Sequence, residues 1–383
     1  MNNTDTETNL QNRLRSLEDR DIIIIDPRQT YIDDRVKLDR ICPGTILFPG
    51  TRLTGPRTFL GPGAKVGSEG PATVDNGVLG EKAEIASGFI KEAVLLRNAR
   101  AGANAHIRAG TLLEEEASTA HAVGLKHTLL LSFVTFGSII NFCDGLISGG
   151  TSRKAHSEVG SGFIHFNYTP WGQYGDKATP SLIGNVPWGV FLREPRVFLG
   201  GAGGMVGPQK VGFGSITAAG QVIRAEVPEN RLVCHPTPEI DRELSLDRTD
   251  SPAERTERNV EYIGQLLALK AWYQEVRLRR IPASAVFDHL RITTEEAIRT
   301  IETCIRERID RLLFFLNERK DGKPVVEYDI KPCPLPIKCE EPYIDHVDWV
   351  RTVPGAFIKK GTGWLQAIAG SVHLSFETVG KDT

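Results

Sequence analysis

The sequence predicts a mainly β protein: a parallel β-helix of hexapeptide repeats, followed by an α-helical hairpin and a small β tail. Three observations carry this expectation. Between Leu199 and Ile223 a small or apolar residue recurs at 199, 205, 211, 217 and 223. That period of six fits neither an α-helix nor an alternating strand. The residues that follow the first four are Gly200, Val206, Gly212 and Ala218, small or apolar side chains that let the backbone turn a corner. Beyond residue 250 the period becomes helical, with one apolar stripe on each of two segments.

The elements follow in order. Residues 1–25 read as a polar lead, mobile or weakly helical to about residue 20, ending in the isoleucine-rich strand between Asp21 and Asp26. Residues 26–235 hold the β-helix. Its rhythm shows at Leu60-Gly61, Val66-Gly67, Leu79-Gly80 and Ile85-Ala86, then runs regularly at Leu95, Ala101, Ile107 and Leu113. The pattern loosens from 118 to 165, and two excursions leave the tube at 148–158 and 169–181. In repeat arrays such insertions gather on one face, often the binding face. Residues 236–250 read as a linker. Ser251-Pro252-Ala253-Glu254 and Thr293-Thr294-Glu295-Glu296 are capping boxes that open the two helices of an αα-hairpin over 251–322. Asp321-Gly322 ends the second, and the charged outer faces of both are expected to be solvated. Residues 323–383 alternate short β-like runs with prolines and read as a small β or irregular tail.

Composition narrows the function. The 46 Lys and Arg against 48 Asp and Glu leave a net charge of −2, so no basic excess points to nucleic acid or an anionic membrane. The most apolar run, Leu129 to Cys143, is interrupted by Ser132, Thr135, Gly137, Ser138 and Asn141 and is too short and polar to span a bilayer. Six cysteines without a CxxC pair read as free thiols of a reducing compartment. No secretory signal pattern opens the chain. The expectation is a soluble, cytoplasmic protein.

Four stretches resemble a known family. Asp26-Pro27-Arg28-Gln29-Thr30-Tyr31-Ile32, Ala105-His106-Ile107-Arg108, Gly160 to Tyr168 and Val211 to Val222 are similar to segments of the C-terminal acetyltransferase half of the bifunctional enzyme that makes UDP-N-acetylglucosamine. The likeness covers roughly residues 26 to 225. It implies a left-handed coil, a homotrimer with sites in the grooves between neighbours, and acetyl-CoA or another acyl-CoA as co-substrate. The pyrophosphorylase half has no counterpart, so no nucleotidyltransferase activity is expected. By motif, the resemblance assigns a sugar phosphate or nucleotide sugar to Arg108, Lys126, Asn167, Tyr168 and Lys177. It assigns the cofactor's pantetheine to Ser215, Ala218 and Ala219. Two departures stand out: Thr169-Pro170 replaces the family's Asp-Gly, and Gly124 replaces the glutamate before the lysine.

Acyl transfer to an amine needs a group that takes a proton as nitrogen attacks the thioester, a task suited to histidine. The family's histidine lies twelve residues beyond the substrate lysine. That count reaches Ser138, and counting back from Asn167 reaches Asp144; neither is a histidine. His156, after Arg153-Lys154-Ala155, is the leading substitute. His127 lies seventeen residues before Asp144, close to one coil, so the two can stack at a corner as a His–carboxylate dyad. His165 sits beside Asn167. A zinc site is not expected, because the spacings among His121, His127, His156 and His165 do not match the fold's known zinc pattern. The expected function is therefore an acyl-CoA-dependent transferase acting on an amino sugar, sugar phosphate or nucleotide sugar. The alternative is a catalytically inactive sugar-nucleotide sensor or scaffold.

Overall fold

A six-residue repeat stacks into a tube because each unit supplies one inward side chain, one short strand and one corner. The computed structural model describes residues 3–170, 175–236, 239–241, 243, 252–317, 323–339 and 341–377. It shows a left-handed parallel β-helix of about eleven turns. The first sheet face is a ladder of eleven parallel strands, from Ile23–Ile24 to Leu232–Val233. The second and third faces are continuous, because Val123–Leu130 and Ile140–Ile147 run unbroken around the corner between them. Leu95, Ala101, Ile107 and Leu113 point into the tube and are buried, as are Leu199, Met205, Val211, Thr217 and Ile223.

Corners need a left-handed backbone, and each supplies it in a column. Asn98, Glu116 and Phe133 have positive φ at one corner, and Asn104, Ala122 and Ile139 at the next. Asn76, Glu92, His127 and Asp144 do so at the third. Gly200 answers a different demand, since a Cβ there would lie 2.3 Å from the Ala218 carbonyl of the next coil.

The lead is more ordered than expected. Asn3–Glu18 forms helix α1, whose Leu14 and Leu17 are buried in the tube's own core. Arg13 donates to the carbonyls of Asp33 and Val36 and holds the helix across the open end. The excursion at 148–158 is an antiparallel hairpin of Gly150–Ser152 and Ala155–His156. The second excursion closes through a Thr169–Asp176 bridge, its residues 171–174 lying outside the described residues. Helix α2, Val186–Gly189, is capped by the Asn185 side chain.

Helix α3, Pro252–Trp272, continues as a π-type turn over Tyr273–Leu278. Helix α4 spans Asp288–Asn317, so it starts before the expected capping box. Thr293 is inside it and donates to the carbonyls of His289 and Leu290. Ser251, Asp321-Gly322 and most of the expected linker lie outside the described residues. The tail holds more than β structure: Lys323–Glu327 pairs antiparallel with His373–Glu377, and between them lie α5, His346–Thr352, and α6, Gly355–Ala369. The prolines and short β-like runs of this stretch give no sign of α6. Gly264 of α3 lets it come close, since a Cβ there would lie 2.0 Å from the Ala369 carbonyl.

The third face explains where the helices go. Its strands carry aliphatic pairs: Val78-Leu79, Val94-Leu95, Leu112-Leu113, Leu129-Leu130, Leu146-Ile147 and Leu182-Ile183. All are buried. The second of each pair fills the tube and the first packs outward against the helices. The first face instead turns Arg100 and other polar side chains outward. Ile263, Leu266 and Trp272 of α3 and Ile301, Ile305, Leu312 and Phe315 of α4 complete this second core. The helices' charges are not all solvated. Arg255 pairs with Asp176 at 2.6 Å, and Arg277 pairs with Glu114 and Glu115, every one of these side chains buried. A buried arginine without its carboxylate would cost several kcal/mol, so these pairs fix where each helix docks.

Leu112→Ala should destabilise the protein by about 2–5 kcal/mol in urea unfolding through loss of helix–tube packing. Arg100→Ala, on the open first face, should change it by less than about 1 kcal/mol.

Candidate active site

The corner between the second and third faces brings His127 and Asp144 together. Both residues have a left-handed backbone, with φ of 47° and 61°, a conformation that Asp and His adopt more readily than most side chains. The two stack in neighbouring coils, with His127 Nδ1 3.5 Å from Asp144 Oδ1. One coil earlier the corner residue is Gly110, where a Cβ would lie 2.3 Å from His127 Cδ2. A side chain there would displace the imidazole.

Helix α4 closes over this corner. Arg308, 1% exposed, donates through Nη2 to Asp144 Oδ1 at 3.0 Å and to Glu307 Oε2 at 2.9 Å, and through Nη1 to the Lys177 carbonyl at 2.9 Å. Asn167 donates to Asp144 Oδ2 at 2.5 Å. Glu307 Oε1 stands 3.9 Å from His127 Nδ1. Burial alone would raise Asp144, but His127, Arg308 and Asn167 outweigh it and hold the carboxyl down to about 2. The proton of a neutral His127 belongs on Nδ1, facing the two carboxylates, which leaves the Nε2 lone pair available.

Beside the dyad lies a group of cations. Lys126 and Cys143 are register partners on the second face, and the Arg108 N–H bonds the Leu125 carbonyl, which places Arg108 in the same outward row. Arg108, Lys126 and Lys177 are all close enough to Cys143 to draw its thiol pKa down, against the larger upward effects of burial and Asp144. Among the described residues none of the three pairs with a carboxylate. The recorded contact of the Arg108 guanidinium is the Cys143 sulfur at 3.5 Å, and its Nε is buried without a partner. A guanidinium beside two ammonium groups without counter-charges is a ready receptor for an anion.

The other expected residues lie as follows. Tyr168 is half exposed and its hydroxyl lies over Gly175. His156 is on the 148–158 hairpin, its Nδ1 2.8 Å from the Arg153 carbonyl and its Nε2 3.4 Å from Glu158; neither partner belongs to the Asp144 group. His165 is buried between the Cys143 carbonyl and the Ser181 hydroxyl, and burial pushes its pKa to about 4. It is a neutral structural histidine. The Ser215 hydroxyl is taken up within its coil, donating to the Pro228 carbonyl and accepting from the Arg231 N–H. The Ala218 N–H bonds Val233, and Ala219 is exposed at the corner.

Cys143, Glu307 and Arg308 were not singled out from sequence. Arg308 had a signal: it falls on the buried stripe of α4 between Ile305 and Leu312. His127, Asp144 and Glu307 also place one ligand atom each within 4.8 Å of one another, a spacing open to a cation. Arg308 donates to both carboxylates, so a positive charge already occupies that position.

Fold and site together define a hexapeptide-repeat β-helix with a histidine–carboxylate corner beside a group of cations. No family model matches the chain. It is similar to proteins named bifunctional protein GlmU. Identity is 29% with that of Pelobacter propionicus, over 58% of this chain and 43% of that one. With that of Thermosipho melanesiensis it is 28%, over 63% and 49%. With that of Desulfitobacterium hafniense it is 29%, over 55% and 41%. The chain thus spans less than half the length of the curated relatives it matches. The resemblance read from the four motifs is to the same bifunctional protein.

The depressed pKa of Asp144 makes a linkage prediction. Its charged form is favoured by the fold, so its contribution is complete above the unfolded value near 4 and is lost as pH falls through about 2. Between pH 4 and 2 the wild type should lose about 2 kcal/mol more stability than Asp144→Asn, read from denaturant unfolding across that range.

Proposed function

We propose that the protein binds an amino-sugar phosphate or nucleotide sugar at this corner and transfers an acetyl group to its amine from acetyl-CoA. The observation that carries the reading is the gathering of Arg108, Lys126 and Lys177 about Cys143 with, among the described residues, no ion pair to a carboxylate. The similarity to GlmU proteins over more than half the chain supports the reaction class. The phosphate sits among the three cations, which places the attached sugar against the dyad. Tyr168, half exposed at the rim, offers a ring face to the sugar. Asn167 acts through Asp144, which it already holds.

His127 is the base in this reading, ahead of His156, because it alone of the two stands beside the receptor. The amine lone pair forms the N–C bond to the thioester carbonyl, the C–S bond breaks, and Nε2 takes the nitrogen's proton. Coenzyme A leaves as a thiolate that takes a proton in turn. The coils around Ala218 and Ala219 are the expected path of the pantetheine arm.

The homotrimer that the resemblance implies would pack through the first and second faces, since this chain's own helices cover the third. Ile139, Ile164, Phe166 and Ile216 are exposed there. A cytoplasmic setting fits six cysteines that are all free.

Thiol release from acetyl-CoA in the presence of glucosamine 1-phosphate tests the reaction, and calorimetric binding of the same sugar tests the receptor. Arg108→Ala and Lys126→Ala should each weaken binding about tenfold or more. His127→Ala should abolish thiol release while keeping binding, and His156→Ala should leave both unchanged. Binding by the wild type with no thiol release would decide for the inactive sensor, the reading that the missing family histidine favours.

A further inference from the structure

Helix α4 lies outside the region of likeness, yet it reaches the corner that the likeness marks. We propose that α4 completes this site from within the chain, with Glu307 and Arg308 as positioning residues for His127 and Asp144. Its consequence for turnover rests on the transferase reading, whereas its geometry does not.

The groups facing His127 define the case. Asp144 comes from the next coil, and Glu307 and Arg308 come from α4. Lys126 precedes it in the chain. Cys304 of α4 donates to the Gly110 carbonyl beneath the ring, and burial keeps that thiol protonated. Asp144 is engaged on both oxygens, by Arg308 on one and Asn167 on the other. Glu307 is held on Oε2 by Arg308 and on Oε1 by Arg311 at 3.1 Å, and that same Oε1 stands 3.9 Å from Nδ1 as a second carboxylate beside the ring. A carboxylate behind a histidine fixes its tautomer and raises its basicity.

Arg308 has a second consequence. One nitrogen holds Asp144 and Glu307 together, and the other holds the Lys177 carbonyl. A single buried guanidinium thus couples the base to the segment that carries the third cation of the receptor. Proton transfer and phosphate binding are set by the same side chain, which is itself anchored on a helix docked to the third face.

Nitrogen-15 NMR of the full chain reads the first role without any need for turnover, because the ring shifts of a neutral imidazole report which nitrogen carries the proton. Glu307→Ala should lower the share of His127 protonated on Nδ1 by about twofold or more, because an acceptor beside Nδ1 is lost. Thiol release should fall by about tenfold with the KM for glucosamine 1-phosphate unchanged. Arg308→Gln should change the tautomer and also weaken glucosamine 1-phosphate binding severalfold. Arg308→Lys, which keeps the charge without the two-pronged geometry, should restore the tautomer more fully than the affinity. An unchanged His127 tautomer in Glu307→Ala overturns the proposal, even if Arg308→Gln fails to fold. A changed tautomer in a protein that releases no thiol supports the positioning pair and overturns only the transferase reading.

Discussion

The constraint on which the rest depends is that the third face of the tube is apolar on both sides. A strand with an aliphatic on each face cannot stand in water at its outer surface. Six such pairs, from Val78-Leu79 to Leu182-Ile183, demand a cover, and α3 and α4 supply it, with α6 packed on α3 behind them. Once α4 lies along that face, its buried stripe passes the corner where Asp144 and His127 project. Arg308 then has to meet a carboxylate, because burying it unpaired would oppose folding. The site geometry is therefore a by-product of how a greasy wall is hidden.

The same layer shapes the electrostatics. The arginines that point from the helices into the tube each find an acid already in place: Asp176, Glu114 with Glu115, and Asp144. Among the described residues, Arg108, Lys126 and Lys177 do not. The corner thus holds two kinds of cation: those neutralised by an acid, which fix the architecture, and those left to carry the binding role proposed for them.

Much of the tube could be read from the sequence, since a strict hexad period has few structural solutions. The seventeen-residue interval between His127 and Asp144 also translated directly into stacking, as coil length sets which residues share a corner. What could not be read was the role of the outward aliphatics. Leu112 and Leu113 look alike in a string, and only the inward one belongs to the repeat rhythm. Without that reading, Arg308 counted as one more charge on a solvated helix, although its place between Ile305 and Leu312 marks a buried position. Helix α6 lies in a stretch that reads as short β-like runs between prolines, and the close approach at Gly264 shows that its place is set by packing on α3. His156 carries only a local echo of neighbouring residues, and the hairpin that holds it follows its own hydrogen bonds.

Helix α1 closes the first coil, with Leu14 and Leu17 seated over the bore. A β-helix is in principle an endless ladder, each terminal rung presenting unpaired amide and carbonyl groups to any chain that can continue it. The plug turns a potential filament into a particle of fixed length at that end, and makes sixteen mostly hydrophilic residues a safeguard against fibre growth.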